Sequence, residues 1–274
     1  MSREKGMGSK GARGAPRLSL LTAYRRRAAH LKVLLAWLDR LRAAERFTDF
    51  ELILAEGDAR PSAARRMAEG RAWVRYLHVP MSDVFHKAVL LNRAAAVARG
   101  QYRVIFDVDL LPAAGVLARH LTLASESPRC LVAGYRVQLP GMLDARRLPA
   151  PAALFGGLDV HDESLLCLED DPFSTREYLV DGQRFGVCPY FPAGVFDALG
   201  GLHEGYVGWG CEDQDLIERV CAGGLTLVRS YDLLYFHLPH GREPGWRDAS
   251  LTAANRRRYA ERRRARFTAS APRE

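Results

Sequence analysis

Apolar positions in this chain fall into short runs that stop at glycine or charge, separated by stretches where they recur at helical spacing. Leu18-Ser19-Leu20-Leu21-Thr22 is such a run and stops at Ala23-Tyr24-Arg25-Arg26-Arg27. It predicts a buried strand ending in a polar loop. Over 30–44, Leu31, Leu34, Leu35, Leu38 and Leu41 keep one helical face, so a helix follows. Phe50-Glu51-Leu52-Ile53-Leu54, closed by Gly57-Asp58, predicts a second strand. Over 82–99, Val84, Ala88, Leu91 and Ala95 form a stripe, with Ser82 or Asp83 as N-cap and Gly100 as the glycine just past the end. Residues 102–106 predict a third strand that feeds Asp107. This alternation predicts a parallel α/β sheet with ligands at the carboxyl ends of its strands.

The later half is less regular. Residues 132–138 predict a strand, and 139–176, rich in Pro, Gly and acids, predict a long loop or flap over the site. Residues 213–222 predict a helix with Leu216, Ile217 and Val220 inward, stopped by Gly223-Gly224. Strands are expected over 225–229 and 233–236, and a strongly basic helix over 256–266. There is no internal repeat.

Composition narrows the class. The 274 residues are 48% hydrophobic and 26% charged, as expected of a soluble globular chain with one large or two small domains. No apolar run approaches the ~18 residues of a membrane span. The Gly-, Lys- and Arg-rich first 17 residues have no apolar core, so no secretory signal is expected. Five cysteines without a CxxC spacing argue against a disulfide framework or a zinc knuckle and for a reducing cytoplasm.

The net charge of +8 is uneven: +4 lies in 1–17 and +6 in 241–274, leaving about −2 for 18–240. Nucleic-acid binding wants a basic face on the folded body, so it is not expected. The expected division is a disordered basic tail over 1–17, one folded domain over 18–245, and a basic helix or tail over 246–274. The tails are read as solvating extensions, with peripheral contact to an anionic membrane surface or polyanion as the sharper alternative.

Three clusters carry chemistry. Asp107-Val108-Asp109 follows an apolar strand. Positions two apart in a strand share a face, which would put both carboxylates in one cleft, where a hard divalent cation takes oxygen ligands. His237-Leu238-Pro239-His240 places two imidazoles three residues apart, and imidazole suits Mn or Zn. The third is Gly208-Trp209-Gly210-Cys211-Glu212-Asp213-Gln214-Asp215. Its glycines permit close backbone approach. Trp209 offers a flat face for a pyranose or an anchor for a loop. Its acids would sit in a first helical turn, where the macrodipole favours them.

With these motifs in order over about 18–245, the chain resembles the metal-dependent GT-A glycosyltransferases, closest to the beta-1,4-galactosyltransferase family and bacterial chondroitin-polymerase-like relatives. The family's Gly-Trp-Gly-x-Glu-Asp-x-Asp stands at 208–215 and its Asp-Val-Asp at 107–109. Its Pro-Phe-Arg-x-Arg, followed by His-Leu, is echoed at 23–27 with His30-Leu31, and its Phe-Asn-Arg-Ala by Phe85-His86-Lys87-Ala88 with Leu91-Asn92.

The resemblance implies a Rossmann-like mixed sheet flanked by helices and an inverting transfer from a UDP-sugar to a glycan, lipid-linked or small-molecule acceptor. It implies Tyr24, Arg25, Arg27, Phe85 and Lys87 around the uridine and diphosphate, with Asp107 near the ribose and Gly210 also on the donor. Asp109, His237 and His240 would ligate Mn2+, with Mg2+ as the alternative. Asp213 would be the general base, Glu212 an acceptor contact, and Trp209 a contact to both sugars. Ala23 replaces the family's proline and Lys87 an arginine, and Arg184 stands near the position that tunes donor choice. The rival readings are a nucleotidyltransferase, which would want an early Gly-rich loop with a lysine that 18–30 lack, a non-catalytic glycan- or polyanion-binding protein, and a retaining transferase, which usually lacks the Glu-Asp pair after the Trp-Gly.

Overall fold

The computed structural model describes residues 14–81, 84–155, 186–240 and 248–269. Its core is a five-stranded sheet in the order β3-β2-β1-β4-β7. The strands are β1 (Leu18–Tyr24), β2 (Phe50–Asp58), β3 (Val74–Pro80), β4 (Tyr102–Ile105) and β7 (Tyr190–Pro192). β1 pairs in parallel with β2 and with β4, and β2 with β3; β7 runs antiparallel to β4. A second, three-stranded sheet has the order β5-β8-β6, from β5 (Leu110–Pro112), β6 (Cys130–Gln138) and β8 (Thr226–His237). The arrangement is therefore mixed, as the family resemblance implied, rather than wholly parallel. The two strands expected over 225–236 are one continuous β8.

The central strands are apolar at successive positions because both faces of the sheet are covered. Leu20, Leu52 and Val104 pack on one side with Leu34, Trp37 and Leu38 of α1 (Ala28–Glu45). Leu21, Ile53 and Ile105 pack on the other with Leu90, Leu91 and Ala94 of α3 (Lys87–Val97). Short α2 (Ala64–Ala68), α4 (Val116–Glu126), α5 (Pro151–Phe155) and α6 (Ala193–Ala198) fill the connections. α7 (Glu212–Ala222) follows the Gly-Trp-Gly segment, and α8 (Ala249–Ala269) closes the described chain.

Several expectations change. The helix expected from residue 82 starts at Lys87, with His86 at its N-cap and no side-chain cap bond; Ser82 and Asp83 lie outside the described residues. Gly100 is not a helix-ending glycine, since α3 ends at Val97 and Ala98 is already extended. Gly100 instead lets two backbones meet. Its N–H donates to Ser19 Oγ at 2.8 Å, and a Cβ there would stand 2.6 Å from Ser19 N. The acidic loop beyond 155, Arg184 and the tail 1–13 lie outside the described residues. The basic helix is longer than its expected 256–266 and packs onto α7 through Tyr259, Arg262 and Arg266. Among the described residues no helix is long and apolar enough to cross a membrane, and the four described cysteines are free thiols.

A buried polar network joins the two sheets. His120 of α4 stacks on Tyr190 with ring centroids 3.5 Å apart, faces Tyr235 Oη at 2.8 Å through Nδ1, and donates from Nε2 to Val132 O at 2.8 Å. Burial pushes its pKa down to about 3, so the native imidazole is neutral while an unfolded chain takes up a proton near 6.5. Stability is therefore intact above that value and is lost as pH falls from about 6.5 towards 3. His120 alone should remove about 2 kcal/mol between pH 7 and pH 5. Urea titrations at the two pH values measure it, and a His120→Gln variant should lose that share of the difference; an unaltered difference would refute the assignment.

Candidate metal and transfer site

The site forms where β1, β2 and β4 end. Arg26 has a left-handed φ of 54°, and this turn sends its neighbours apart. Arg25 turns towards Asp58 at the end of β2, 3.9 Å away, and Arg26 meets the same carboxylate at 2.8 Å. The Arg26 hydrogen bond holds Asp58 below the usual carboxylate range. Arg27 turns the other way and donates from Nη1 to Asp109 Oδ2 at 2.5 Å.

Asp107 and Asp109 do not share one strand face. β4 ends at Ile105, and both acids lie in the turn to β5, so the two-residue period no longer applies. Asp109 is buried and faces His240 Nε2 at 3.3 Å and His237 Nε2 at 3.6 Å. Asp107 is far more open and meets Lys87 Nζ at 3.2 Å.

Asp109, His237 and His240 form a three-residue cluster whose ligand atoms lie within 4.8 Å of one another. Its chemistry fits a divalent ion. Asp109 Oδ1 is buried and accepts no hydrogen bond. His237 pairs in register with Gln138 across β6 and β8, and its Nδ1–H donates to Gln138 Oε1 at 2.8 Å. That bond fixes the tautomer with the Nε2 lone pair turned to the cluster. Burial pushes His237 down to about 4 against the pull of Asp109, so it offers a neutral imidazole. The His240 turn is held by Leu238 N–H donating to Asp109 O at 2.8 Å and by His30 Nε2 at 3.2 Å from Pro239 O.

A second cluster surrounds Lys87, at the first residue of α3. Its Nζ lies 3.2 Å from Asp107, 3.3 Å from Asp213 and 3.7 Å from Glu212. Glu212 is buried, and its Oε2 accepts the Gly210 N–H at 3.1 Å, which ties the first residue of α7 back to the loop before it. Asp213 Oδ1 accepts no hydrogen bond. Asp107, Asp213 and His237 line one cleft with Ile105, Leu110, Phe191 and Ile217 as its apolar wall. His237 of the metal cluster therefore shares a cleft with Asp107 and Asp213, the two acids nearest Lys87.

Other expected residues sit differently. Tyr24 is 1% exposed and packs in the core, and Phe85 is half-buried against the second apolar cluster. Trp209 is 6% exposed, which makes it an anchor of its loop here rather than an open platform. Asp215 points away from the cleft and is fully buried among Arg219, Arg262 and Arg266. Sequence reading missed Gln138, Asp58 and the arginines of α8. Gln138 has no local signal because only strand register pairs it with His237. Asp58 had one, as an acid ending the strand beside the arginine-rich end of β1.

Residues 180–240 match the family model described as the N-terminal domain of galactosyltransferase. No curated protein matches the chain. Among solved structures, S. aureus TarS 1-349 is similar with a TM-score of 0.57 at 12% identity, over 81% of this chain and 60% of that one. The same protein in complex with UDP gives 0.58 at 11% identity, again over 81% and 60%. The chain thus spans under two thirds of these neighbours. With the mixed sheet and the cleft at its strand ends, these likenesses give the chain the GT-A glycosyltransferase fold, and the galactosyltransferase match covers one part of the cleft, from Gly186 to His237.

Proposed function

We propose that this chain is an inverting, metal-dependent glycosyltransferase. It would move a hexose or N-acetylhexosamine from a UDP-sugar to a hydroxyl of a glycan, lipid-linked or small-molecule acceptor. The observation that carries this reading is one cleft lined both by His237 of the Asp109–His237–His240 cluster and by Asp213, which pairs with Lys87. The UDP bound to a neighbour of the same fold supports the choice of nucleotide.

A divalent ion held by Asp109, His237 and His240 would offset charge on the departing diphosphate, and the oxygen–imidazole donor set favours Mn2+. Arg27 lies next to that cluster and Arg25 stands at the same strand ends, and in this reading both would meet phosphate oxygens on donor binding. Asp213 takes the proton from the acceptor hydroxyl as that oxygen attacks the anomeric carbon. The glycosidic oxygen leaves with the diphosphate, so an alpha-linked donor gives a beta-linked product. Trp209, buried as it is, sets the loop that leads into Glu212 and Asp213.

Localisation at a membrane surface is weaker on this geometry than on composition. Arg262 and Arg266 of α8 point inward to Asp215, and Arg263 stands 3.9 Å from Glu218, so much of the helix's charge is matched inside the domain.

The deciding experiment is a thermal-shift panel of UDP-sugars, UDP and GDP, each with Mn2+ and with chelator. One UDP-sugar should stabilise the chain only with Mn2+, and Asp109→Ala should abolish that response. No nucleotide response with any metal would favour a binding protein over a transferase.

A further inference from the structure

Asn255 is buried in the middle of α8, a helix whose outward stripe carries exposed Arg256 and Arg257. An asparagine is a mediocre helix former, and a buried amide costs stability unless its groups are bonded. Here both ends of the amide are used on one loop. Nδ2 donates to Val207 O at 2.8 Å and to Trp209 O at 3.1 Å, and Oδ1 accepts the Val207 N–H at 3.3 Å. Leu251, one turn earlier, packs over the residue between them, where a Cβ added to Gly208 would stand 3.3 Å from Leu251 Cδ1.

The loop so held is conformationally costly. Gly208, Gly210 and Cys211 have φ of 75°, 108° and 70°, and the last is not a glycine, so that turn is strained without support. Cys211 is also the residue from which α7 starts. Immediately after it come Glu212 and Asp213, whose carboxylates converge on Lys87. Further along α8, Tyr259 Oη donates to Glu218 Oε1 at 2.5 Å and Arg266 Nη1 to Asp215 Oδ1 at 2.7 Å. α8 therefore grips the loop and the helix behind it as one body.

We infer that Asn255 is a positioning residue for sugar transfer, fixing the Gly-Trp-Gly loop so that Glu212 and Asp213 enter the cleft in register with Lys87. This rests on the transferase reading above. Asn255 acts through the backbone of 207–209. An apolar or acidic replacement cannot reproduce its role, because two of its three bonds need an amide N–H and the third needs the carbonyl.

The test compares Asn255→Ala, Asn255→Asp and the outward-facing control Arg257→Ala, by amide hydrogen exchange and by steady-state transfer with the UDP-sugar found above. In Asn255→Ala the amides of 207–211 should exchange on the order of 10-fold or more faster, with β1, β2 and β4 unchanged. Its kcat should fall on the order of 10–100-fold, with donor KM and UDP affinity near wild type. Asn255→Asp keeps the acceptor but turns a buried carboxylate onto the carbonyls of Val207 and Trp209, so its loop should exchange and its kcat fall at least as much as in Asn255→Ala. Arg257→Ala should match wild type in both measurements. Unchanged loop exchange would overturn the clamp. Faster loop exchange with unchanged kcat would overturn the positioning role. A wild-type chain that binds no nucleotide would overturn the transferase reading and with it any role in transfer, while loop exchange would still report the clamp.

Discussion

Asp213→Asn should lower turnover by about 10²–10⁴ while UDP binding with Mn2+ stays at the wild-type level. The size follows from removing a general base. The selectivity follows from geometry, since Asp213 is outside the Asp109–His237–His240 cluster and touches Lys87 instead. Asparagine keeps the shape of the side chain and can still face the ammonium, but it cannot take the acceptor proton. A loss confined to kcat with donor affinity preserved identifies a transition-state role. Turnover at the wild-type rate would remove Asp213 from that role and turn attention to the other carboxylates beside Lys87, Asp107 and Glu212.

Asp215→Ala should destabilise the domain by about 3–5 kcal/mol, the usual cost of removing one partner from a buried ionic cluster. Asp215 has no exposed surface and takes hydrogen bonds from Arg219 at 2.9 Å, Arg262 at 3.2 Å and Arg266 at 2.7 Å. Burial alone would raise its pKa, but Arg266, Arg219 and Arg262 outweigh that and hold the carboxyl below its usual range. Without it, three guanidinium groups face one another around a cavity. Urea unfolding gives the stability, and hydrogen exchange over 249–269 reports whether α8 comes away first. A variant within 1 kcal/mol of wild type, with α8 still protected, would show that the arginines find other partners.

What the sequence disclosed follows physical lines. β1, β2, β4 and α1 were legible because covered strands and helices carry dense or strictly periodic apolar residues, with one polar residue at most inside the run, as in Leu18-Ser19-Leu20-Leu21, or a helical stripe, as in Leu31 to Leu41. β3 was not, because it is an edge strand paired only with β2, half-exposed along its length, and its Val-Arg-Tyr-Leu-His-Val-Pro shows neither a run nor alternation. β5 and β7 are three residues each, too short for any period. In β8, Asp232 interrupts the apolar pattern while the backbone continues through it, so one strand read as two.

The site divides in the same way. Asp109, His237 and His240 stood out because each belongs to a compact local motif, and the structure brings those motifs together. The geometry between Asp107 and Asp109 did not follow, because the strand stops one residue earlier than the apolar run. Asp215 belongs to the same acidic string as Asp213, yet two residues turn a helix by about 200°. One carboxylate faces the cleft and the other faces α8. Asn255, 46 to 48 residues beyond the loop positions it bonds, has no signal that short-range spacing could show.

The α7–α8 ion cluster also has a meaning in time. A ribosome releases Asp215 before Arg262 and Arg266, with roughly fifty residues between the first and the last. At about 5–20 residues per second, that interval is about 2–10 s. Until residue 255 is made the Gly-Trp-Gly turn has no Asn255 to hold it, and until residue 262 Asp215 has only Arg219 within its own helix. The five-stranded sheet, whose last strand ends at Pro192, is already synthesised at that stage, so the start of α7 is the part of the fold that waits longest for the contacts that hold it.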